Sequence, residues 1–588
     1  MRDQSLARFI SVASGALAVA LLHTGASAQS LLENLTPVTD EMIQNPPAED
    51  WLTWRRTLDH WGFSPLTEID RRNVDNLQLV WTRALGPGTQ EGTPLVHDGV
   101  MFFPNPSDFT QAFDATNGDV LWEHRRAQPE DAGEYFPVPN INRNLAIFGN
   151  YLFDNGTDNY AYAIDARTGE LAWETQILDY RRGAQHTSGP IIADGKVVSG
   201  RGCEPEGGPE ACVITAFDPM TGEELWRTRT IPAPGEPGDE TWGDIPYEER
   251  RHVGTWMLPS YDPDLRQVYI GTSVTSPAPK FMLSGNDEQY LYHNSTLALD
   301  VDTGEIVWYF QHVVDHWDLD HPFERLLVDV AQAPDPDSVE WINPRLREGE
   351  VRKVITGIPG KTGLVYTIDR ENGQFLWART TVEQNVIADI NLESGAAIIN
   401  EESLFTGAGQ TRLICPTALG GKNWHSGTYS PQTQAMYYGL HNTCAEMTSR
   451  SDTPSLDDLY AISMDSMIAP GTDNVGTIQA ISAVTGETLW KYEQRAGMTS
   501  LMSTASGLLF GGDVNGRFRA FDIRDGSILW EVNLGSGVTG FPVTYSVDGR
   551  QYVAVSTGPS LNTFGVGQLT PELTLGAANN LFVFALPD

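Results

Sequence analysis

The chain has 588 residues, including 56 Gly, 36 Pro and 16 Trp, and a formal net charge of −39 at pH 7. A surface this acidic repels nucleic acid and anionic membranes, which excludes nucleic-acid binding, and it attracts basic partners such as a small cationic redox protein.

Arg2 and Arg8 flank an apolar run from Phe9 to Leu22, which leads to Ala26-Ser27-Ala28. That order predicts a secretory signal peptide over 1–28 and a single domain over 29–588. The run is too short to span a bilayer, and no later stretch is long enough. Export to the periplasm is expected, and with it an oxidising compartment. Of the four cysteines, Cys203–Cys212 and Cys415–Cys444 are the expected disulfides, because each pairing closes one local loop. No Cys-x-x-Cys-His occurs, so no c-type haem is covalently attached to this chain.

A repeat runs along the chain: a small residue, an apolar one, usually Asp, two variable residues, Thr/Asn/Asp-Gly, three more, then Trp. Seven copies end at Trp122, Trp173, Trp226, Trp308, Trp377, Trp490 and Trp530, and a partial copy ends at Trp81. Each copy reads as a β-hairpin with the x-Gly pair as its turn and Trp on the second strand. A lone hairpin cannot bury both faces, but sheets stacked around an axis can, with Trp packed between neighbours. The prediction is an all-β, eight-bladed β-propeller of Trp-docking hairpins. The C-terminal strand Leu581–Leu586 is expected to pair with the N-terminal segment and close the ring. Uneven repeat spacing places insertions around 230–295 and 378–470, where loops can build a site.

The repeat, the leader, the opening segment Thr36–Leu66 and the closing segment Gly535–Gly558 together resemble the PQQ-dependent methanol/ethanol dehydrogenase family over essentially the whole mature chain. The chain looks closest to a haem-free branch that includes sorbose/sorbosone dehydrogenases. The resemblance implies pyrroloquinoline quinone (PQQ) with one metal ion, calcium or a lanthanide, an alcohol substrate, and an external electron acceptor such as cytochrome c. A non-catalytic propeller, of the outer-membrane assembly scaffold type, would share the repeat but not the site motifs.

By resemblance, Asp318 in DHWDLD (315–320) is the general base, since a carboxylate beside a divalent ion stays ionised. Asp320 adds a second carboxylate, which in relatives marks lanthanide use. The third metal ligand falls in GRGCEPEGGPEAC (200–212), with Glu204 nearest, then Glu206 and Glu210. The family's ligand Asn has no counterpart in GTSVT (271–275), where Thr272, Ser273 or a backbone carbonyl could substitute. PQQ needs a flat platform, donors for its carboxylates and a cation near its reactive carbonyl. Trp256 matches the platform. Glu91, Arg143, Thr187, Asn423 and Trp424 match contacts, and Lys361 matches the cation. The family's adjacent-cysteine ceiling is replaced by Pro137-Val138, and TSLMSTASG (499–507) lacks an expected tryptophan. Both changes predict a wider pocket and a bulkier alcohol: a sugar, a polyol or a polycyclic alcohol such as a mycotoxin.

Overall fold

The computed structural model describes residues 30–135, 140–203, 207–283, 288–314, 316–452 and 460–587. The predicted leader lies outside them.

Each repeat copy folds as an antiparallel strand pair. In the copy ending at Trp122, Phe109–Asp114 enters the turn and Val120–Arg125 leaves it. Asp114 N–H donates to the Asp119 carbonyl at 2.9 Å, and Gly118 N–H donates back to the Asp114 carbonyl at 2.8 Å. The connection is therefore longer than the expected x-Gly pair. It is a single helical turn ending on a left-handed glycine. Its reason is the aspartate, whose carboxylate accepts from the Thr116 N–H at 2.8 Å and hydroxyl at 2.6 Å. That side chain satisfies turn donors that would otherwise need water. In the copy that carries Ser482 instead, the hydroxyl accepts from Val484 and Thr485 N–H at 3.2 and 3.0 Å.

The turn glycine has a second duty. Gly118 has φ 75°, and a Cβ there would lie 2.5 Å from the Trp81 ring. Gly169 meets Trp122 in the same way, and Gly222 meets Trp173. Each tryptophan thus lies flat on the turn of the next sheet. The indole N–H of Trp81, Trp122, Trp173, Trp226 and Trp490 donates to Ala115, Ala166, Pro219, Val301 and Ile523 carbonyls at 2.9–3.1 Å. Trp377 differs and donates to Gln332 Oε1 at 2.7 Å.

Among the described residues there are eight sheets of four or five strands. Each takes one motif tryptophan, Trp81 included. The sheet holding Trp81 joins both ends of the chain. Gln78–Ala84 pairs antiparallel with Asn580–Ala585, from Gln78↔Ala585 to Ala84↔Asn580. Asn580–Ala585 in turn pairs with Arg550–Thr557. The core lies between the sheets, with Trp530 against Phe584 and Phe310 against Tyr366 as examples. Both expected disulfides are formed. The second insertion builds a separate three-stranded sheet from Thr411–Ile414, Thr443–Ser449 and Ile462–Ile468. Cys415–Cys444 joins two of its strands.

Candidate active site

The predicted site residues share one position in the sheet plan. Glu91, Arg143, Thr187, Trp256, Asp318 and Trp424 each lie shortly before the first strand of a sheet. Those strands begin at Leu95, Ala146, Ile191, Ser260, Leu326 and Thr428. In a ring of sheets, equivalent entry loops converge. They line a cavity of ≈ 180 Å³ whose wall includes Arg143, Thr187, Trp256, Asn423 and Trp424 together with Asp318, Asp320 and Lys361.

The charge of the cavity is concentrated in three residues. Lys361 Nζ lies 2.6 Å from Asp318 Oδ1 and 3.2 Å from Asp320 Oδ2. The Lys361 N–H also donates to the Asp320 carbonyl at 2.9 Å. Asp320 Oδ1 accepts from Val274 N–H at 2.9 Å. Burial alone would lower the lysine pKa, but the two carboxylates outweigh it and hold the ammonium above its usual range. Burial would raise Asp320, yet Lys361 and His252 outweigh that and keep it below the usual carboxylate range. A cation between two carboxylates in a protected cavity is the arrangement that results.

Arg143 is the fourth charged residue of the lining. Its guanidinium donates to the Thr187 carbonyl at 3.1 Å and pairs with Glu91 Oε2 at 2.7 Å. It lies 5.2 Å from the Trp256 ring centre and 5.8 Å from that of Trp424, within cation–π range. Thr187 and Ser188 hydroxyls donate to the Trp256 carbonyl at 3.1 and 3.0 Å, which fixes that loop. Phe323 meets the Trp256 ring edge-on at 5.5 Å. Asn423 donates to the Leu419 carbonyl at 2.9 Å and accepts from Trp424 N–H at 2.8 Å. The Trp424 indole N–H is buried without a hydrogen-bond partner among the described residues.

Some expected residues stand elsewhere. Glu91 is fully buried behind Arg143 and is not on the cavity wall. Glu204, Glu206, Pro137 and Val138 fall outside the described residues. Glu210 is half-exposed and accepts from the Tyr247 hydroxyl at 3.0 Å, so it faces a different groove. Thr272 donates to the Tyr292 carbonyl at 2.5 Å, and Ser273 accepts from Gly254 N–H at 2.9 Å. Both hydroxyls serve the backbone, and what this segment gives the site is the Val274 N–H. Among the described residues no cluster of three His, Cys, Asp or Glu side chains could hold a metal ion.

The wall also holds Gln185, Gly202, Tyr460 and Leu561, which the sequence did not single out. Gln185 stands two residues before Thr187 in the same entry loop, and that proximity is the signal that could have found it. Tyr460 comes from the second insertion and meets His252 edge-on at 6.1 Å. Leu561 begins the helix Leu561–Leu569, whose cap is reciprocal: Ser560 and Thr563 each bond the other's backbone N–H.

A family model described as "PQQ: Glucose/ethanol/alcohol dehydrogenase, beta-propeller domain" matches residues 51–391 and 446–553. The quinohemoprotein alcohol dehydrogenase ADH-IIG of Pseudomonas putida is 30% identical over 597 residues, 95% of this chain and 79% of that protein. The 1-butanol dehydrogenase (cytochrome c) of Thauera butanivorans is 31% identical over 84% of this chain and 72% of its own length. Among solved structures, a europium-containing methanol dehydrogenase superposes with a TM-score of 0.83 at 25% identity, over 93% of this chain and all of that one.

Proposed function

The chain belongs to the family of PQQ-dependent alcohol dehydrogenases, and on that premise we propose that it oxidises a bulky primary or secondary alcohol in the periplasm, with cytochrome c as electron acceptor. The observation that carries this reading is the meeting of Asp318, Lys361 and Asp320 on the same cavity wall as Trp256, Trp424 and Arg143. A non-catalytic scaffold has no use for two ionised carboxylates held around one ammonium in a cavity.

The residues present fit the cofactor. Two indole rings suit a planar ring system, and Arg143 and Asn423 offer donors to carboxylates. The indole N–H of Trp424 is a buried donor that an acceptor-rich ligand would satisfy. Asp318 and Asp320 are the proposed protein ligands to a calcium or lanthanide ion, with Glu204 as the third. Held by these residues, PQQ would supply the two-electron oxidant, a hydride from the carbinol carbon carrying both electrons, and the metal ion would supply Lewis acidity. Asp318 removes the hydroxyl proton. Lys361 holds Asp320 ionised, pairs with Asp318, and would stabilise negative charge that grows next to its ammonium. Trp256, Trp424 and Arg143 orient the ring and keep water from its faces.

The finer points have separate supports. All four cysteines are consumed in Cys203–Cys212 and Cys415–Cys444, so none is left to attach haem and none can form a ceiling of adjacent cysteines. Tyr460 and Leu561 give the wall an aromatic and an aliphatic surface for a bulky alcohol. Asp320 and the europium-containing neighbour favour a lanthanide. The name of the Thauera relative favours cytochrome c. The disulfides and the leader favour the periplasm, and no helix among the described residues is long and apolar enough to cross a membrane.

The test is dye-linked oxidation by apo-protein reconstituted with PQQ plus calcium or lanthanum, across a panel of alcohols. The expected result is activity that requires both PQQ and metal, with kcat/KM higher for a bulky secondary alcohol than for methanol. Preference for methanol removes the bulky substrate. Absence of PQQ-dependent turnover with either metal removes the reading as a whole.

A further inference from the structure

A fully buried ion pair lies just outside the cavity. Lys422 Nζ stands 2.6 Å from Glu324 Oε2, and both side chains are almost completely inaccessible. The same ammonium donates to the Asn423 carbonyl at 3.2 Å and lies 4.5 Å from the Phe323 ring centre. The other carboxylate oxygen of Glu324 accepts from Gly427 N–H at 2.9 Å. The Gly427 carbonyl accepts from Arg55 at 2.7 Å.

These contacts join two loops that the proposed chemistry needs at a fixed distance. Glu324 closes the loop that carries Asp318 and Asp320. Lys422 adjoins Asn423 and Trp424, and Gly427 ends their loop. Phe323 sits between the ammonium and the Trp256 ring. Desolvating two charges costs much of what their attraction returns, so a buried pair is a poor source of stability. It is, however, a stiff and directional tie.

We propose that Glu324 and Lys422 are positioning residues: a strut that sets the spacing between the Asp318–Asp320 carboxylates and the Asn423–Trp424 wall. Neither residue lines the cavity; Lys422 meets the lining only at the Asn423 carbonyl, and the strut acts through the loops at its two ends. This inference rests on the proposed PQQ site for its catalytic consequence but not for its structural one.

The test compares wild type with Glu324→Gln and with the double variant Glu324→Gln/Lys422→Met. The glutamine keeps an acceptor for Gly427, and the double variant also removes the ammonium that Glu324→Gln leaves unpaired, while the buried Arg55 and Arg325 keep their backbone carbonyl acceptors. Amide hydrogen exchange of the apo-protein reads the two loops directly. In the double variant, exchange should quicken in both 318–325 and 420–427 while far-UV dichroism is unchanged. PQQ affinity, read by quenching of tryptophan fluorescence, should fall about tenfold. The kcat should fall by a similar factor, with KM for the alcohol within about threefold. Glu324→Gln, which leaves the Lys422 ammonium unpaired, should quicken exchange in both loops at least as much. Wild-type exchange in both loops together with wild-type PQQ affinity would overturn the strut. Should the double variant fail to fold, Glu324→Gln decides alone, and unchanged exchange in both loops overturns the proposal. Failure of wild type to bind PQQ would remove the proposed function, while the exchange of the two loops would still test the tie.

Discussion

Asp318 is the residue on which the proposed reaction turns. It is paired with Lys361 at 2.6 Å and lines the cavity, so an amide in its place preserves shape and removes the base. Asp318→Asn should lower kcat by about 10²–10⁴ while far-UV dichroism stays unchanged. Retained turnover in a stopped-flow or dye-linked assay would take Asp318 out of that role. Much at this scale was legible in short motifs, since DHWDLD (315–320) and GGKNW (420–424) each deliver two residues to the cavity. Tyr460 and Leu561 were not, because a residue that only shapes a wall carries no spacing or charge signature. Glu91 shows the converse: its motif was recognised, but only packing reveals that Arg143 stands between it and the cavity.

At the scale of elements, the turn and the tryptophan behind it form one unit. Gly169 has φ 72°, and a Cβ there would lie 2.7 Å from the Trp122 ring. Gly169→Ala therefore meets both backbone strain and a clash, at a cost of about 1–3 kcal/mol. Trp122→Ala should cost about 3–5 kcal/mol by opening a cavity between two sheets. Calorimetric unfolding checks both, and an unchanged Tm for either variant would mean that the docking does not hold neighbouring sheets. A second element-level device is the N-terminal clasp. His97 is buried, with Nδ1 2.8 Å from Asp50 Oδ2 and Nε2 2.8 Å from the Thr36 carbonyl. Burial would lower its pKa, but hydrogen bonding and attraction to Asp50, with help from Thr36 and Asp98, raise it above the ordinary 6.5. A folded-state pKa raised in this way contributes stability that is complete below about 6.5 and is lost as pH rises through the higher folded value. Tm of wild type minus that of His97→Gln should therefore shrink as pH rises above 6.5. A difference that is flat or grows over that range would show that the clasp is not held by a charged imidazole.

For the molecule as a whole, closure is the structural event that matters. Gln78–Ala84 has its partner only in Asn580–Ala585 within its sheet. Truncation before Asn580 would expose that strand and the edge of Arg550–Thr557, and unpaired edges recruit other chains. Size-exclusion chromatography should show aggregated protein without a cooperative melt, whereas a monomer with near wild-type Tm would mean that closure is dispensable. The net charge of −39 also acts at this scale. If a cationic cytochrome c is the acceptor, kcat/KM for that acceptor should fall steeply as salt screens the attraction. With a neutral dye the rate should change little, and equal salt dependence for both would remove electrostatic docking.

The sequence alone determined the all-β repeat architecture, because turns, glycines and tryptophan spacing are local signals imposed by backbone sterics, while the disulfides followed from local cysteine spacing and the family from the resemblance of its motifs. That resemblance, carried over residue by residue, also named most of the side chains that the entry loops bring to the cavity. Tertiary structure decided the rest. It showed that the turn is built by the aspartate side chain, that Thr272 and Ser273 serve the backbone, and that the insertion brings Tyr460 to the cavity. It also revealed the tie from Lys422 to Glu324, 98 residues away in sequence. Contacts of that kind depend on how loops from different sheets meet, and no local pattern in the chain encodes a distance across the ring.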